Sequence, residues 1–567
     1  MLFLKTILWL ASVHGSILPA LADAYQWPNP QYEALERMLF EGTDNNDKAT
    51  SILTNSCARR VSNGSPVAAE WLRLSYHDSS TKNITDGTGG LDASIYYELS
   101  RQENIGTGMG NSMNDFSASS NKYVSRSDLI ALGVVWGVAS CAGPVIPFRT
   151  GRTDATVAGR FGAPQPQEIL DLAIQRFSLQ GFNQTEMIGL VACGHTLGGV
   201  NNIDFPSIVQ VPGPTLFNRE FDGTDAFDNA VVLQYLNGTT KNPLVTISNT
   251  LFQSDLRIFQ SDNNATMNLL ANPSVYSATC GSLLERMINT VPSTVQLSDA
   301  IELIPFKVTR ALLTVENSQF VLDVVIRVAI TGEDTPASGR AITIFWCDAY
   351  GANAGCAGGV AGTSTTASPT PFNDVLVSPV GQAQGISFVE YEFFLPIDVE
   401  KSVSNFWFEL FTDGVAATQD NGGAGFAVQD GLIFIPQQGS ASGSSQVTFD
   451  VIVGVRSQNT PTSATMNVFD NTFTGTPSTP FSATVQLQPA TNAAIGPAFA
   501  PYTLYGGTFT TPSSTAGLPT VDIAVQVDGA NHTLDFIRPR SAQDTFPTHS
   551  LSSVSTTTVS SVPTSAA

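Results

Sequence analysis

Histidine is scarce: the 567 residues contain only five. His14 lies in an apolar N-terminal run, His532 in an Asn-His-Thr sequon and His549 in a Ser/Thr-rich tail. Only His77 and His195 remain for metal binding or acid–base work in the first half, which argues against a zinc cluster of three or more histidines. Positive charge is also short. There are 26 Lys+Arg against 48 Asp+Glu, a formal net charge of −22. Nucleic-acid binders need clustered basic residues to grip phosphates, so a nucleic-acid partner is excluded. Charged residues make up only 13%, giving a polar but lightly charged surface. No stretch beyond residue 22 has 18 continuous apolar residues, so no membrane span is expected in the mature chain. Hydrophobic residues are sufficient, at 42%, to build ordinary cores and exclude a wholly disordered chain. At roughly 100–200 residues per domain, the length implies about two to four domains.

Residues 1–22 read as a secretory signal: Lys5 supplies the positive end, Ile7 to Leu21 is mostly apolar, and Ala20-Leu21-Ala22 fits a small-x-small cleavage site. The expected location is extracellular, with association with a cell wall left open. Six cysteines in an oxidising compartment favour three disulfides. Cys347 and Cys356 lie close together in a Gly/Ala-rich loop and are expected to pair; counting does not decide among Cys57, Cys141, Cys193 and Cys280. Candidate N-glycosylation sequons fall at Asn63, Asn83, Asn183, Asn237, Asn264 and Asn531.

The chain changes texture near residue 291. Before it, apolar residues recur at helical spacing, as in Tyr32-Leu35-Leu39, Val67-Trp71-Leu74, Leu129-Leu132-Trp136 and Ile169-Leu172-Ile174. After it, short β-branched runs dominate, among them Gln319–Ile330, Ala341–Trp346, Ile386–Pro396, Gln446–Val455 and Val521–Val527. Gly, Pro, Ser and Thr punctuate them, the texture of antiparallel sandwiches. The expected organisation is multidomain: a signal peptide over 1–22, an all-α domain over 23–291, an all-β region of one or two sandwiches over 292–540, and a tail over 541–567. That Ser/Thr-rich tail suits an exposed, O-glycosylated segment.

Two constellations carry chemistry. In Ser-Pro-VAAEWLRLSYHD, Ser65 can cap a helix with Pro66 at its first position. Arg73 and His77 are four apart on one face, so a fixed positive charge stands beside a proton shuttle. Arg73 should also depress the imidazole pKa. Asp78, Gly90, Asp92 and Ser94 then make an oxygen-rich set suited to Ca²⁺. A second helix from about Thr185 carries His195 at its C-terminal end, with Gly198-Gly199 able to close it. Thr196, Asp222, Thr224 and Asp228 offer another oxygen set. Asp255 follows an apolar run, and a buried carboxylate bonded to a metal-bound imidazole would orient it. One histidine for a metal and another for protons suggests a single open-sited cofactor such as haem.

The motifs Arg73-Leu-Ser-Tyr-His77-Asp78, Gly90-Leu-Asp92-Ala-Ser94, Cys193-Gly-His195-Thr196 and Phe-Gln-Ser-Asp255 occur in order. Together they resemble the plant-type haem peroxidase superfamily over about residues 35–290, most nearly its secreted fungal members. The resemblance implies an all-helical domain holding haem b and two Ca²⁺. His195 would be the axial iron ligand and Asp255 its hydrogen-bond partner. His77 would move the proton of H₂O₂, Arg73 would stabilise charge as the O–O bond breaks, and Asn104 would orient His77. Glu98 would tie the distal calcium region to the pocket. Asp78, Gly90, Asp92 and Ser94 map to the distal Ca²⁺ site; Thr196, Asp222, Thr224, Asp228 and the carbonyl of Ala226 map to the proximal one. Cys57 and Cys141 match a disulfide of secreted fungal members, which leaves Cys193 and Cys280 either to pair or to stay free.

Departures from the family pattern bear on substrate. Tyr76 stands where secreted members usually carry Phe, and Phe221 where cytochrome c peroxidases carry a radical-forming Trp. Glu70 matches one acid of a manganese site whose other acids fall on Pro66 and Asn201. The surface Trp of lignin peroxidases falls at Leu190, and Trp71 is open either to a surface radical role or to the core. The leading expectation is a secreted peroxidase that reduces H₂O₂ and oxidises small phenolic or aromatic donors one electron at a time. The alternative is a non-catalytic wall- or polysaccharide-binding protein on a peroxidase-like scaffold, with the β region as the binding part. A non-haem site of His77, Asp78 and His195 ranks last, for want of a third histidine.

Overall fold

The computed structural model describes residues 25–45, 47–61, 64–117, 119–211, 213, 215–316, 318–331, 340–366, 375–412, 414–443, 446–470, 481–490, 496, 499–511, 519–539 and 550–563. The signal peptide, the sequon residue Asn63 and tail residues 541–549 and 564–567 lie outside these. Among the described residues no helix is long and apolar enough to cross a membrane.

The helical half contains α1 (Pro30–Glu41), α2 (Val67–Ser79), α3 (Thr107–Phe116), α4 (Arg126–Ser140), α5 (Leu170–Gln180), α6 (Gln184–Gly194), α7 (Ala230–Leu236), α8 (Pro243–Thr246), α9 (Ser254–Phe259), α10 (Ala265–Leu270) and α11 (Pro273–Ile288). Local signals set their ends. The Asn29 side chain caps α1 and Gly42, at φ 78°, closes it. Ser125 caps α4 through the Asp128 N–H, 3.0 Å away. Every residue of α4 from Arg126 to Ala139 is buried, as expected of a helix apolar nearly all round. The helix α2 packs on it, with the rings of Trp71 and Trp136 6.3 Å apart.

Two expectations about helix ends are corrected. Pro66 is the extended residue before α2, and Ser65 is not its cap. A bridge between Arg59 and Pro66, with the Val67 N–H donating to the Ala58 carbonyl, holds Pro66 out of the helix. Likewise α6 stops at Gly194, so Gly198 and Gly199 do not close it. Gly199 instead begins β1 (Gly199–Asn201), which pairs with β2 (Asn218–Glu220). The helical region is therefore not purely α.

The second half is built of antiparallel strands: β3 (Phe306–Glu316), β4 (Gln319–Thr331), β5 (Arg340–Cys347), β6 (Val360–Thr366), β7 (Ile386–Pro396), β8 (Asn405–Thr412), β9 (Val415–Gln419), β10 (Phe426–Ala427), β11 (Leu432–Phe434), β12 (Ser440–Ser442), β13 (Thr448–Val455), β14 (Ser463–Asp470), β15 (Phe481–Gln486), β16 (Gln488–Pro489), β17 (Thr503–Thr510), β18 (Thr520–Val527), β19 (Ala530–Ile537) and β20 (Ser555–Thr558). A three-stranded sheet, β3-β4-β7, and a six-stranded sheet, β10-β8-β5-β6-β20 with β9 beside β8, share one core that includes Val324, Ile344, Phe393 and Phe408. A five-stranded sheet, β11-β13-β17-β16 with β12 beside β13, shares another with the four-stranded β15-β14-β18-β19, through Val453, Met466 and Ile523. Among the described residues the four sheets thus form two sandwiches. The tail is not wholly free of structure, because β20 lies within it and pairs with β6.

The halves are joined through buried charge. On α1, Glu36 binds Arg327 and Lys307 at 2.7 Å each, and Glu41 binds Arg327 at 2.6 Å. Glu36 and Arg327 are fully buried. Burial alone would raise the Glu36 carboxyl, but the adjacent Lys307 and Arg327 charges hold it below the usual carboxylate range. A short helix α12 (Pro379–Ala383) packs on α1 and α4, and the Ser378 hydroxyl donates to the Leu39 carbonyl at 2.6 Å. In return, Trp27 packs edge-on against Phe426 of the first sandwich.

Candidate active site

Helix α2 presents Arg73 and His77 one turn apart to the same cavity. The Nδ1 of His77 lies 2.8 Å from Asn104 Oδ1, and the Asn104 amide donates to the Glu98 carbonyl at 3.1 Å. Asn104 can only accept at Oδ1, so His77 carries its proton on Nδ1 and has a lone pair on Nε2. Burial, then the Arg73 charge, push the imidazole down to about 3, against the opposing bond to Asn104. Arg73 is itself lowered to about 10 by burial, despite Asp204 and Glu70 nearby. Its Nη2 donates to the Ile105 carbonyl at 2.7 Å, and its guanidinium stands 5.5 Å from the Phe205 ring centre. A Cβ on Gly106 would meet Arg73 Nη1 at 2.9 Å, so only glycine leaves that room. Glu98 accepts from the Gly159 N–H at 2.7 Å and faces Arg101, fixing the loop that carries Asn104.

The opposite wall comes from α6. An Asn183–Glu186 capping box starts this helix, and His195 ends it, its N–H bonded to the Val191 carbonyl. The Nδ1–H of His195 donates to Asp255 Oδ2 at 2.7 Å, leaving the Nε2 lone pair free. Phe221 lies flat against the imidazole, ring centres 4.2 Å apart at 11°. Asp255 sits in the first turn of α9 and is buried. Sequence reasoning missed its second partner: Asn242 Nδ2 donates to the same Oδ2 at 2.7 Å. Asn242 also caps α8, and the Asn-Pro start of that helix was the only signal for it.

Between these walls lies a cavity of about 300 Å³, bordered by Arg73, His77, His195 and Asp255. Among the described residues no position beyond Met287 borders it, so the sandwiches do not shape it. Tyr76 also borders it, stacked on Phe177 at 5.8 Å, with burial raising its phenol. Leu190 is buried at the cavity wall, so this position is not at the surface here. Trp71 is core: it is fully buried and donates its indole N–H to Asp115 at 2.8 Å. Glu70 is engaged by Arg60 and Asn111.

The two oxygen sets are each brought together in part. Asp78 accepts from the Ala93 and Ile95 N–H groups at 2.7 and 3.0 Å, with Ser94 Oγ 3.5 Å away; Asp92 accepts from the Ser94 N–H at 3.1 Å. The Gly90 carbonyl instead accepts from the Thr81 hydroxyl at 3.2 Å. Burial, then the Asp92 charge, raise Asp78 well above the usual range. In the second set, Thr224 Oγ1 lies within 3.5 Å of Asp222 Oδ1, the Ala226 carbonyl and Asp228 Oδ1. The Thr196 hydroxyl donates to the Asp228 carbonyl at 2.6 Å. Burial lifts Asp222 to about 6, and its Oδ2 has no hydrogen-bond partner. Disulfides join Cys57–Cys141, Cys193–Cys280 and Cys347–Cys356, which resolves the pairing left open by the cysteine count.

Residues 53–272 match the family described as Peroxidase. The helical half of the chain is a domain of the plant-type haem peroxidase superfamily. The chain is similar to a WSC domain-containing protein of Arthroderma benhamiae, 40% identical over 282 residues that span 48% of this chain and 39% of that protein. A putative L-ascorbate peroxidase 6 of Arabidopsis thaliana is 32% identical over 153 residues, 26% of this chain and 45% of that one. Peroxidase 22.3 of Oryza sativa subsp. japonica is 27% identical over 282 residues, 43% of this chain and 83% of that one. The chain thus spans less than half the length of the first two.

Proposed function

We propose that this chain is a secreted haem peroxidase that reduces H₂O₂ and oxidises small phenolic or aromatic donors in one-electron steps. One observation carries the reading: an Asp-backed histidine and an Asn-oriented histidine face one cavity, with lone pairs free on both Nε2 atoms. The donor set fits haem, with one imidazole to hold iron and a second, kept neutral, to handle protons. Haem bound there would supply the iron redox chemistry that passes electrons from donors to peroxide. His195 would hold it through Nε2, and Asp255 would fix the ring's orientation and tautomer.

His77 Nε2 takes a proton from one oxygen of H₂O₂ and returns it to the other as that oxygen departs as water. Arg73, fixed by Ile105 and given room by Gly106, stabilises the negative charge that builds on the departing oxygen. Two donor electrons and two protons balance the conversion of H₂O₂ to two waters. Phe221 beside His195 and the Cys57–Cys141 bridge support the reading closest to secreted fungal enzymes. The oxygen sets suit two Ca²⁺ ions, since buried carboxylates such as Asp78 and Asp222 gain from a cation among neutral oxygens. Three disulfides and the exposed sequon residues Asn183, Asn237 and Asn531 support secretion.

The test is the visible spectrum of the purified mature protein before and after one equivalent of H₂O₂. The expected result is a Soret band that shifts and recovers on adding a phenol. A chain that shows no Soret band even after reconstitution with haem would overturn the enzyme reading in favour of the scaffold reading.

A further inference from the structure

The C-terminal tail returns to the first sandwich. Strand β20 pairs antiparallel with β6, Ser555 opposite Thr363 and Thr558 opposite Val360. The Val559 N–H continues the ladder to the Gly359 carbonyl at 3.0 Å. Before it, the Ser552 N–H donates to the Phe394 carbonyl at 2.8 Å, and Ser552 Oγ accepts from the Phe394 N–H. After it, Val559 and Val562 pack on Trp407 and the Cys347–Cys356 bridge, where Phe345 and Trp407 stack at 5.5 Å. Asn405 then donates to the Pro563 carbonyl.

We propose that this segment is an exchangeable edge strand, and that the β6 edge and the Phe345–Trp407 face accept the same segment from a second copy of this chain. Among the described residues, β6 without β20 would be the end of its sheet, with N–H and C=O groups of Val360–Thr363 losing their strand partners. Residues Ser550–Ala567 contain no Asp, Glu, Lys or Arg, so no charge discourages strand pairing. The segment is held by four paired residues and a few flanking contacts, and most of its side chains are exposed.

Residues 538–551 separate β19 from the Ser552 contact that precedes β20, and those 14 residues have an extended reach of about 46–50 Å. That length lets the strand cross to a neighbour. Reciprocal exchange keeps every contact and closes as a two-fold dimer, so concentration governs the balance. The tethered strand competes at an effective concentration on the order of millimolar, so exchange grows as protein concentration approaches that level.

The test uses the full chain with cysteines at the facing, partly exposed pair Ser555 and Thr363. The double variant Ser555→Cys/Thr363→Cys, oxidised in dilute solution, is expected to form a 363–555 disulfide within one chain. Its absence would show that the strand does not sit on β6 and would overturn the proposal. The single variants Ser555→Cys and Thr363→Cys are then mixed, concentrated and oxidised. The expected product is a dimer whose linked peptides carry the 363–555 bond, in a fraction that rises with concentration. A mixture that yields no such peptide, or only 555–555 links, would overturn exchange between copies.

Discussion

At the scale of single residues, the two histidines are distinguished by their Nδ1 partners. A carboxylate backs His195 and makes it a stronger lone-pair donor. A neutral amide orients His77, and burial with the Arg73 charge keeps it unprotonated, so its Nε2 lone pair stays free to take a proton. His77→Ala should retain the haem and slow its reaction with peroxide by at least about 10²–10⁴-fold, read by stopped-flow spectroscopy. His77 also leaves a mark on stability. Its folded pKa is about 3 against about 6.5 unfolded, so below pH 6.5 the unfolded chain binds a proton that the folded chain refuses. Stability from this group is complete above that pH and falls by about 1.4 kcal/mol per pH unit towards pH 3. Urea midpoints of the haem-free chain should therefore drop more steeply between pH 6.5 and 4 for the wild type than for His77→Gln.

At the scale of elements, the position of His195 depends on α6 being clamped at both ends. A capping box starts the helix, and Cys193, two residues before His195, is tied to Cys280 of α11. The bridge closes a sequence separation of 87 residues, which the chain-entropy account values at about 4–5 kcal/mol. Cys193→Ser/Cys280→Ser should lose about that much in urea unfolding and should broaden the His195 ring signal in NMR of the haem-free chain. Cys347→Ser/Cys356→Ser removes a bridge across a separation of only 9 residues and should leave that signal unchanged. The strand elements show where pattern reading stops. Gln319–Ile330 and Ile386–Pro396 were legible as long apolar runs, and they fall in β4 and β7. Strand β3 was missed because the irregularity between Val308 and Arg310 breaks its alternation, and β17 because Gly506-Gly507 interrupts it. Strand β19 was missed because most of its residues are exposed or half-buried.

At the scale of the whole molecule, the helical half and the β half are locked by the Glu36–Arg327–Lys307 cluster, while the cavity opens elsewhere. Arg327→Ala would leave Glu36 with Lys307 alone and Glu41 with Arg37 alone, and should destabilise the chain by no more than about 3–5 kcal/mol in urea. The Soret band should nonetheless be kept in the fraction that remains folded. A second signature follows from the sign of the Glu36 shift. Its folded pKa lies below the unfolded value, so its contribution is complete above about pH 4.5. That contribution is lost as pH falls through the folded pKa. The variant's deficit should therefore shrink in acid.

What the sequence by itself determined was local chemistry and order along the chain. Arg73 and His77 share a face because helices repeat every 3.6 residues, and the β-branched runs after residue 291 pointed to sandwiches. Tertiary structure alone decided that Asn242 shares the Asp255 carboxylate, that Trp71 is core, and that α1 carries the carboxylates answering Arg327. It also decided that the tail completes a sheet. Each of these joins residues by proximity across long loops or different elements, and such proximity leaves no periodic trace in a single sequence.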